Sequence, residues 1–179
     1  MTSIHTTAPE AYGYEAGEGD RLWVTGDTLT FKATAAQTGG SMTAMEVIAA
    51  PGGGPPPHVH ANEDEAWYVL DGEFEILHGE ETLRLTAGGF AFVPRGTVHR
   101  FENVSDRHSR VLIVFTPGGM DGFFFEAGVA AVNGESPPPL GPEEIERSRE
   151  SAIRYGMEVR WPEPKGATPE AVNRTTTAR

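Results

Sequence analysis

The sequence predicts an all-β fold, an antiparallel sandwich or barrel followed by a short helical segment. Short runs of β-branched and aromatic residues alternate with turn residues between about 21 and 117, and turn signals recur roughly every eight to twelve residues. No stretch before residue 119 has helical spacing of its apolar residues. No internal repeat is visible, so we expect one barrel rather than two fused barrels.

The barrel is expected to occupy residues 21–118, after an N-terminal arm of residues 1–20. The arm is polar and glycine-rich and has no hydrophobic periodicity, so it should be loosely held. Inside the barrel, "LDGEFEILHGEETLRLTAGG" alternates apolar and polar residues on either side of a turn at 78–81. This pattern predicts a pair of strands joined at that turn.

The chain after the barrel predicts a C-terminal helical segment over 119–162 that packs on the barrel. "GGMDGFFFEAGVA" is consistent with a short helix that carries an aromatic cluster. "SPPPLGPEEIERSRESAIRYG" has a proline-rich entry and acidic residues in a first turn, which predicts a helix over about 142–155. Residues 163–179 are expected to form a flexible tail.

Composition narrows the function classes. The chain has 179 residues, enough for one ordinary domain, and 14 Lys+Arg against 26 Asp+Glu give a net charge of −12. That charge argues against a nucleic-acid partner or an anionic membrane surface. The absence of cysteine excludes disulfides, zinc–thiolate sites and thiol nucleophiles. With no signal-peptide pattern and no membrane-spanning run, a cytoplasmic protein is expected.

The stretch "PPPHVHANEDE" at 55–65 predicts a metal site. Residues i and i+2 of a strand project from the same face, so His58 and His60 point the same way. "ANED" supplies a turn that resets the strand parity, which lets Glu65 face the same interior. His99 begins a new strand after a bend in "VPRGTVH". Three imidazoles and one carboxylate that converge inside a barrel would hold a divalent metal.

Two motifs in this region resemble those of the cupin superfamily, over roughly residues 40–117. The resemblance implies a double-stranded β-helix (jelly-roll) barrel with His58, His60, Glu65 and His99 as metal ligands. The motif positions are Gly52, His58, His60, Glu65 and Gly72 in the first stretch, and Gly88, Pro94, Gly96, His99 and Asn103 in the second.

The other histidines and the neighbouring acids are expected to lie outside the metal site. His5 falls in the arm, His78 at the hairpin turn and His108 in the polar loop "SDRHSR", so each should be a solvated surface residue. Glu63 and Asp64 should form a solvated turn. For Asp64 the alternative is a hydrogen-bond acceptor for an imidazole N–H.

The ligand set and its surroundings limit the chemistry. Nitrogen and carboxylate ligands without sulfur suit one divalent transition metal per chain: Fe, Mn, Co, Ni or Zn. Four protein ligands leave one or two open positions on a five- or six-coordinate ion. Several apolar residues are expected near the metal, where they either pack the core or favour a planar or hydrophobic substrate. Alternation places Trp67, Val69 and Phe101 on the inner face, and Phe92 joins them just before the bend that leads to His99. The trio Phe123, Phe124 and Phe125 is expected to help cover a barrel mouth.

The single motif pair followed by "TPGGMDGFFFEAG" and "YGMEV" resembles bacterial cupins of the quercetin 2,3-dioxygenase-like type. The resemblance implies a small aromatic flavonol bound through its hydroxyl oxygen to the metal, with Glu65 as general base and O₂ as cosubstrate. It also implies a homodimer. Two alternatives stay open: a non-oxidative enzyme such as a polyketide cyclase or isomerase, and a non-catalytic small-molecule-binding cupin.

Overall fold

The computed structural model describes residues 9–160, and most of its secondary structure is β-strand. Three helices accompany the strands in this range: α1 (Ala35–Thr38), α2 (Met120–Ala127) and α3 (Pro142–Arg154). The strands are β1 (Arg21–Val24), β2 (Asp27–Ala33), β3 (Thr43–Ala49), β4 (His58–His60), β5 (Asp64–Asp71), β6 (Glu73–His78), β7 (Glu81–Thr86), β8 (Phe90–Val93), β9 (His99–Asn103), β10 (Ser109–Thr116), β11 (Val129–Ala130) and β12 (Met157–Val159).

The strands form two antiparallel sheets, which confirms the predicted all-β class. One sheet has the order β11-β1-β2-β3-β10-β5-β8 and the other the order β12-β4-β9-β6-β7. Alternation within the strands gives each sheet an apolar inner face; in β10, for example, Val111, Ile113 and Phe115 are buried. These side chains join Phe74 and Ile76 of the other sheet in one hydrophobic core. The core therefore lies between the two sheets.

The predicted hairpin at 78–81 is confirmed. Strands β6 and β7 pair from Glu73 with Thr86 to His78 with Glu81. Gly79 in the turn has φ +64°, a conformation that glycine adopts without steric cost. Because β7 is an edge strand of its sheet, most of its residues are exposed.

Both predicted helices are present, as α2 and α3. Helix α3 begins at Pro142, with Glu143 and Glu144 in its first turn, as the sequence pattern indicated. The expectation that no helix precedes residue 119 is wrong, because the single-turn helix α1 lies between β2 and β3. That turn starts with a capping box between Thr34 and Gln37, which is too local to produce a periodic signal.

The end of the described chain adds an unpredicted strand. After α3, β12 pairs with β4, with Met157 opposite His60 and Val159 opposite His58. Helix α3 is held against α2 by Arg154, which donates to Glu126. The C-terminal segment therefore borders the strand that carries two of the candidate ligands.

Only part of the predicted N-terminal arm is described. Residues 9–20 are mostly exposed, but Tyr12 donates to the carbonyl of Lys32, whose ammonium donates to the carbonyl of Glu18. His5 and the predicted tail at 163–179 lie outside the described residues. None of the helices in residues 9–160 has both the length and the hydrophobicity of a membrane-spanning segment.

Candidate metal centre

The four predicted ligands meet in one cluster between the sheets. His58 and His60 lie on β4 and His99 on β9, both in the five-stranded sheet. Glu65 lies on β5 of the seven-stranded sheet. All four residues are buried, with 6% exposure or less. The cluster, named here the His₃Glu cluster, therefore links the two sheets.

Local structure explains how each side chain reaches the cluster. In β4, Val59 separates the two histidines, so both imidazoles project to the same face, and His58 pairs with His99 across the sheet. The bend before β9 is fixed by Gly96, which has φ +79° and donates its N–H to the carbonyl of His60 at 2.8 Å. The positive φ favours glycine at this position.

The ligand atoms converge on one point. Nε2 of His58 lies 3.1 Å from Nε2 of His60, which is 3.2 Å from Oε2 of Glu65. The same carboxylate oxygen lies 2.9 Å from Nε2 of His99. All four atoms lie within 4.8 Å of one another. Ligand atoms around one transition-metal ion, each about 2.0–2.2 Å from it, are at most roughly 4.4 Å apart, so small shifts suffice for binding.

Hydrogen bonds to backbone carbonyls set the orientation of two imidazoles. Nδ1 of His58 lies 2.9 Å from the carbonyl oxygen of Pro56, and Nδ1 of His99 lies 2.8 Å from that of Thr97. A carbonyl oxygen only accepts, so both Nδ1 atoms carry protons. In the neutral imidazoles, Nε2 then offers its lone pair to the cluster, which is the form that a metal ion binds.

The pKa shifts of His58 and Glu65 agree with this donor set, whereas that of His99 runs the other way: burial lowers the pKa of His99, but the hydrogen bond and charge of Glu65 outweigh burial and raise it. Burial lowers the pKa of His58 to about 3, with the charges of His99 and His60 acting in the same direction. Burial alone would raise the pKa of Glu65, but contacts from His60 and His99 outweigh it and lower that pKa to about 2. At neutral pH the cluster thus presents a carboxylate and a neutral imidazole, as a cation requires. The residues present fit a divalent metal.

The structure corrects the prediction for the adjacent acids. Glu63, expected in a solvated turn, is 6% exposed, and its Oε2 lies 4.0 Å from Nδ1 of His60. Asp64 is not an imidazole acceptor, because both its oxygens bind the Arg95 side chain at 3.0 Å. The carboxylate near the outer nitrogen of an imidazole, Nδ1 of His60, is therefore that of Glu63, which sequence reasoning missed. The only signal was its spacing of three residues from His60.

The remaining described histidines lie outside the cluster. His108 is exposed, as expected for the polar loop. The prediction that His78 is solvated is only partly right: its side chain is partly buried, and its Nε2 lies 3.9 Å from Glu81 across the hairpin turn. Neither belongs to a metal-binding group within the described residues.

The His₃Glu cluster opens into an apolar cavity. Three of its residues, His58, His60 and Glu65, line the wall. Most other wall residues are apolar and come from both sheets, α2 and β12: Val24, Leu29, Met45, Val47, Phe101, Ile113, Phe115, Phe123, Phe124, Met157 and Val159. The cavity therefore combines a polar cluster with hydrophobic walls, the usual composition of a small-molecule site.

The predicted aromatic lining is partly right. Phe101, Phe123 and Phe124 line the cavity, and the buried Trp67 packs against His99 with ring centroids 5.6 Å apart. Val69 is likewise buried, in the core. The prediction for Phe92 is wrong: it lies on the outer face of β8 and is 55% exposed. Phe125 is also exposed, stacked on the ring of Phe31.

Comparison with known proteins agrees with this geometry. Residues 45–115 match the family described as "Cupin domain". The chain is 32% identical over 119 residues to a quercetin 2,3-dioxygenase of Bacillus subtilis, an alignment that covers 65% of this chain and 34% of that protein. It is 32% identical over 90 residues to the polyketide synthase CurC of Streptomyces cyaneus, covering 50% of this chain and 57% of that protein.

A solved structure shows the same architecture. The structure of KdgF from Halomonas sp. superimposes with a TM-score of 0.56 at 26% identity, covering 63% of this chain and 98% of that one. By contrast, the chain spans about a third to somewhat over half of the length of the curated relatives it matches. The matches therefore establish the fold and leave the activity to be inferred from the site.

Proposed function

Because this chain is a member of the cupin superfamily, we propose that it is a metal-dependent dioxygenase that cleaves a flavonol-like or related enolic aromatic substrate with O₂. In this proposal His58, His60, Glu65 and His99 hold one divalent transition metal. The observation that carries it is the buried His₃Glu cluster at the wall of an aromatic cavity. The relative from B. subtilis, named a quercetin 2,3-dioxygenase, supplies the substrate class and the use of O₂.

The residues of the cluster have separate tasks in this proposal. A divalent ion held there would supply Lewis acidity that lowers the pKa of a substrate enol or phenol. Glu65 is a carboxylate at neutral pH and lines the cavity, so it accepts the substrate proton as general base. Backbone carbonyls orient His58 and His99, which keeps their Nε2 atoms directed at one point.

The cavity walls select the substrate and protect the reaction. Phe101, Phe115, Phe123 and Phe124 present aromatic surface to whatever binds near the cluster. Such walls favour a planar apolar ring system over a sugar acid or a phosphate. They also exclude water, which strengthens the electrostatic effect of the cluster on a bound enolate.

Oxygen consumption tests the proposal. Protein loaded in turn with Fe, Mn, Co, Ni and Zn is mixed with a panel of flavonols, and O₂ uptake is measured beside substrate loss. We expect equal consumption of O₂ and flavonol with at least one metal, and none after chelation of the metal. Turnover that continues unchanged without O₂ would contradict the dioxygenase proposal.

One observation favours a second candidate, a non-oxidative polyketide cyclase or isomerase that uses the ion as a Lewis acid only. The chain shares 32% identity with a protein named polyketide synthase CurC over half of its length. Conversion of a polyketide substrate under anaerobic conditions would favour this candidate. Binding of aromatics with no conversion of either class would favour a non-catalytic binding protein.

A further inference from the structure

Two buried polar side chains line the same cavity as the His₃Glu cluster and have no hydrogen-bond partner among the described residues. Asp27 is 4% exposed, and its Oδ1 is unpaired. Ser148 is 1% exposed, and its hydroxyl is unpaired. The other wall residues around them are almost all apolar. Neither residue belongs to the His₃Glu cluster or to any predicted site.

The backbone directs Asp27 into the cavity. Asp27 begins β2, and alternation places its side chain on the same face as Leu29, which also lines the wall. Its partner across the β1–β2 ladder is Val24, another wall residue. Gly53 leaves room for the carboxyl: a Cβ at that position would lie 2.9 Å from Oδ1 of Asp27.

Helix α3 brings Ser148 to the wall of the same cavity. Glu144, one turn earlier on the same helix face, accepts a hydrogen bond of 2.6 Å from the backbone N–H of Thr25. Thr25 lies in the turn that precedes Asp27. The contact fixes α3, which carries Ser148, against the turn before Asp27, and both residues line the same cavity.

An unpaired polar group in an apolar cavity destabilises the fold. A buried carboxyl or hydroxyl without a partner loses its hydrogen bonds to water and gains none in return. Burial also raises the pKa of Asp27 to about 7, so the carboxyl is available as both donor and acceptor near neutral pH. Groups that cost stability in this way are typical of ligand sites.

We propose that Asp27 and Ser148 form a second polar site in the cavity, which binds a hydroxyl group of the substrate other than the one at the His₃Glu cluster. This inference rests on the proposed function, since it requires an aromatic substrate in this cavity. It adds a preference: the substrate carries a second hydroxyl, and the protein discriminates against analogues that lack it.

Binding to matched probes tests the inference. Zinc-loaded protein is titrated under anaerobic conditions with 3-hydroxyflavone and with quercetin, which has further ring hydroxyls, and tryptophan fluorescence is recorded. We expect wild type to bind quercetin about tenfold more tightly or better. Asp27→Leu should abolish this preference, Ser148→Ala should weaken it, and Asp27→Asn should retain most of it. Thr30→Val, which removes a buried hydroxyl from the other face of β2, is the control.

A measurement of thermal stability distinguishes a role of Asp27 in ligand binding from a role in stabilising the fold. If Asp27 serves a ligand, Asp27→Leu should raise the melting temperature by roughly 2–4 °C and leave metal content unchanged. A lower melting temperature, or an intact quercetin preference in Asp27→Leu, would overturn the inference.

A further titration distinguishes failure of this inference from failure of the proposed function. If neither flavonol binds wild type, the flavonol proposal fails, and naphthol and dihydroxynaphthalene replace the flavonols in the same titration. A preference for the dihydroxy compound that Asp27→Leu removes would support the inference. Equal binding of the two compounds, or no binding of either, would overturn it.

Discussion

Nδ1 of His60 lies 4.0 Å from Oε2 of Glu63, and neither atom has a hydrogen-bond partner in the described part of the chain. The other two imidazoles of the His₃Glu cluster donate Nδ1–H to carbonyls two residues earlier, at Pro56 and Thr97. Within the cluster, His60 is therefore the imidazole whose Nδ1 lacks a backbone acceptor and lies near the Glu63 carboxylate instead. A modest rotation of the Glu63 side chain would close the distance to a hydrogen bond.

Replacing Glu63 should weaken metal binding. A carboxylate behind a ligating imidazole fixes its orientation and raises its basicity, and loss of such a partner costs about 10–100-fold in metal affinity. We expect this loss in Glu63→Leu and a smaller one in Glu63→Gln, which keeps an accepting oxygen. Competition with a chelator measures the affinity. Asp64→Asn is the control, because Asp64 binds Arg95 instead; equal affinities in Glu63→Leu and Asp64→Asn would contradict the role of Glu63.

Replacing Glu65 by Gln should depress turnover while keeping the fold and part of the metal. Gln retains an oxygen ligand but cannot act as a base, and removal of a general base typically costs about 10²–10⁴-fold in rate. Circular dichroism, metal analysis and O₂ uptake measure the three properties. Glu102→Gln, in β9 beside Arg100, is the matched control. Near-normal turnover in Glu65→Gln would rule out this residue as the base.

Replacing His99 by Ala should remove most of the bound metal. His99 contributes one of three imidazoles and contacts Glu65 directly, so its loss leaves an incomplete ligand set. Metal content after purification and dialysis is the measurement, and His108→Ala, in an exposed loop, is the control. Near-stoichiometric metal in His99→Ala would exclude this residue from the ligand set.

Asp27 should make stability depend on pH. Burial raises its pKa from 3.8 to about 7, so between these values the folded protein retains a proton that the unfolded chain has released. The contribution of Asp27 to the free energy of unfolding therefore falls as pH rises from about 4 to about 7, by a few kcal/mol at most. Asp27→Asn lacks this titration, so its stability relative to wild type should increase across that window. Urea unfolding of both proteins at matched metal content measures it; a constant difference would contradict the raised pKa.

The homodimer expected from the family resemblance can be tested at an edge strand. Phe90 and Phe92 are 61% and 55% exposed on β8, the last strand of the seven-stranded sheet. Exposed aromatics beside an unpaired strand edge are typical of association sites. We expect light scattering to show a dimer for wild type and a monomer for the double variant Phe90→Ser/Phe92→Ser. Ile153→Ser, exposed on α3, should stay dimeric; a wild-type monomer at all concentrations would contradict the dimer.

Period-two alternation and the recurring turn residues predicted the fold class and the shared face of His58 and His60, and the resemblance to the cupin motifs implied that Glu65 and His99 join them. Alternation fails where both faces of a strand are apolar, as in the "FAFV" of β8. There the structure places the smaller Ala91 and Val93 inside, and Phe92 outside. Residue size against the neighbouring sheet decided the face, and a single sequence does not show that neighbour.

The sequence also did not predict which polar residues are buried. Glu63 follows "AN" and precedes another acid, so its surroundings indicate a solvated turn. It is buried because the start of α2 packs over it, as shown by Gly119, where an added Cβ would lie 3.8 Å from Oε1 of Glu63. Asp27 and Ser148 are similar cases: both are buried, and α3, which carries Ser148, contacts the turn before Asp27. Such contacts between distant segments leave no local pattern.

Because the candidate ligands come from both sheets, a cation bound by all four would link the two sheets. Separating β5 from β4 and β9 would then require release of that cation, so metal binding and folding would form a single coupled equilibrium. Each tenfold rise in free metal above its dissociation constant would then add about 1.4 kcal/mol of resistance to unfolding. The melting temperature of this chain would therefore report the concentration of free metal in the solution.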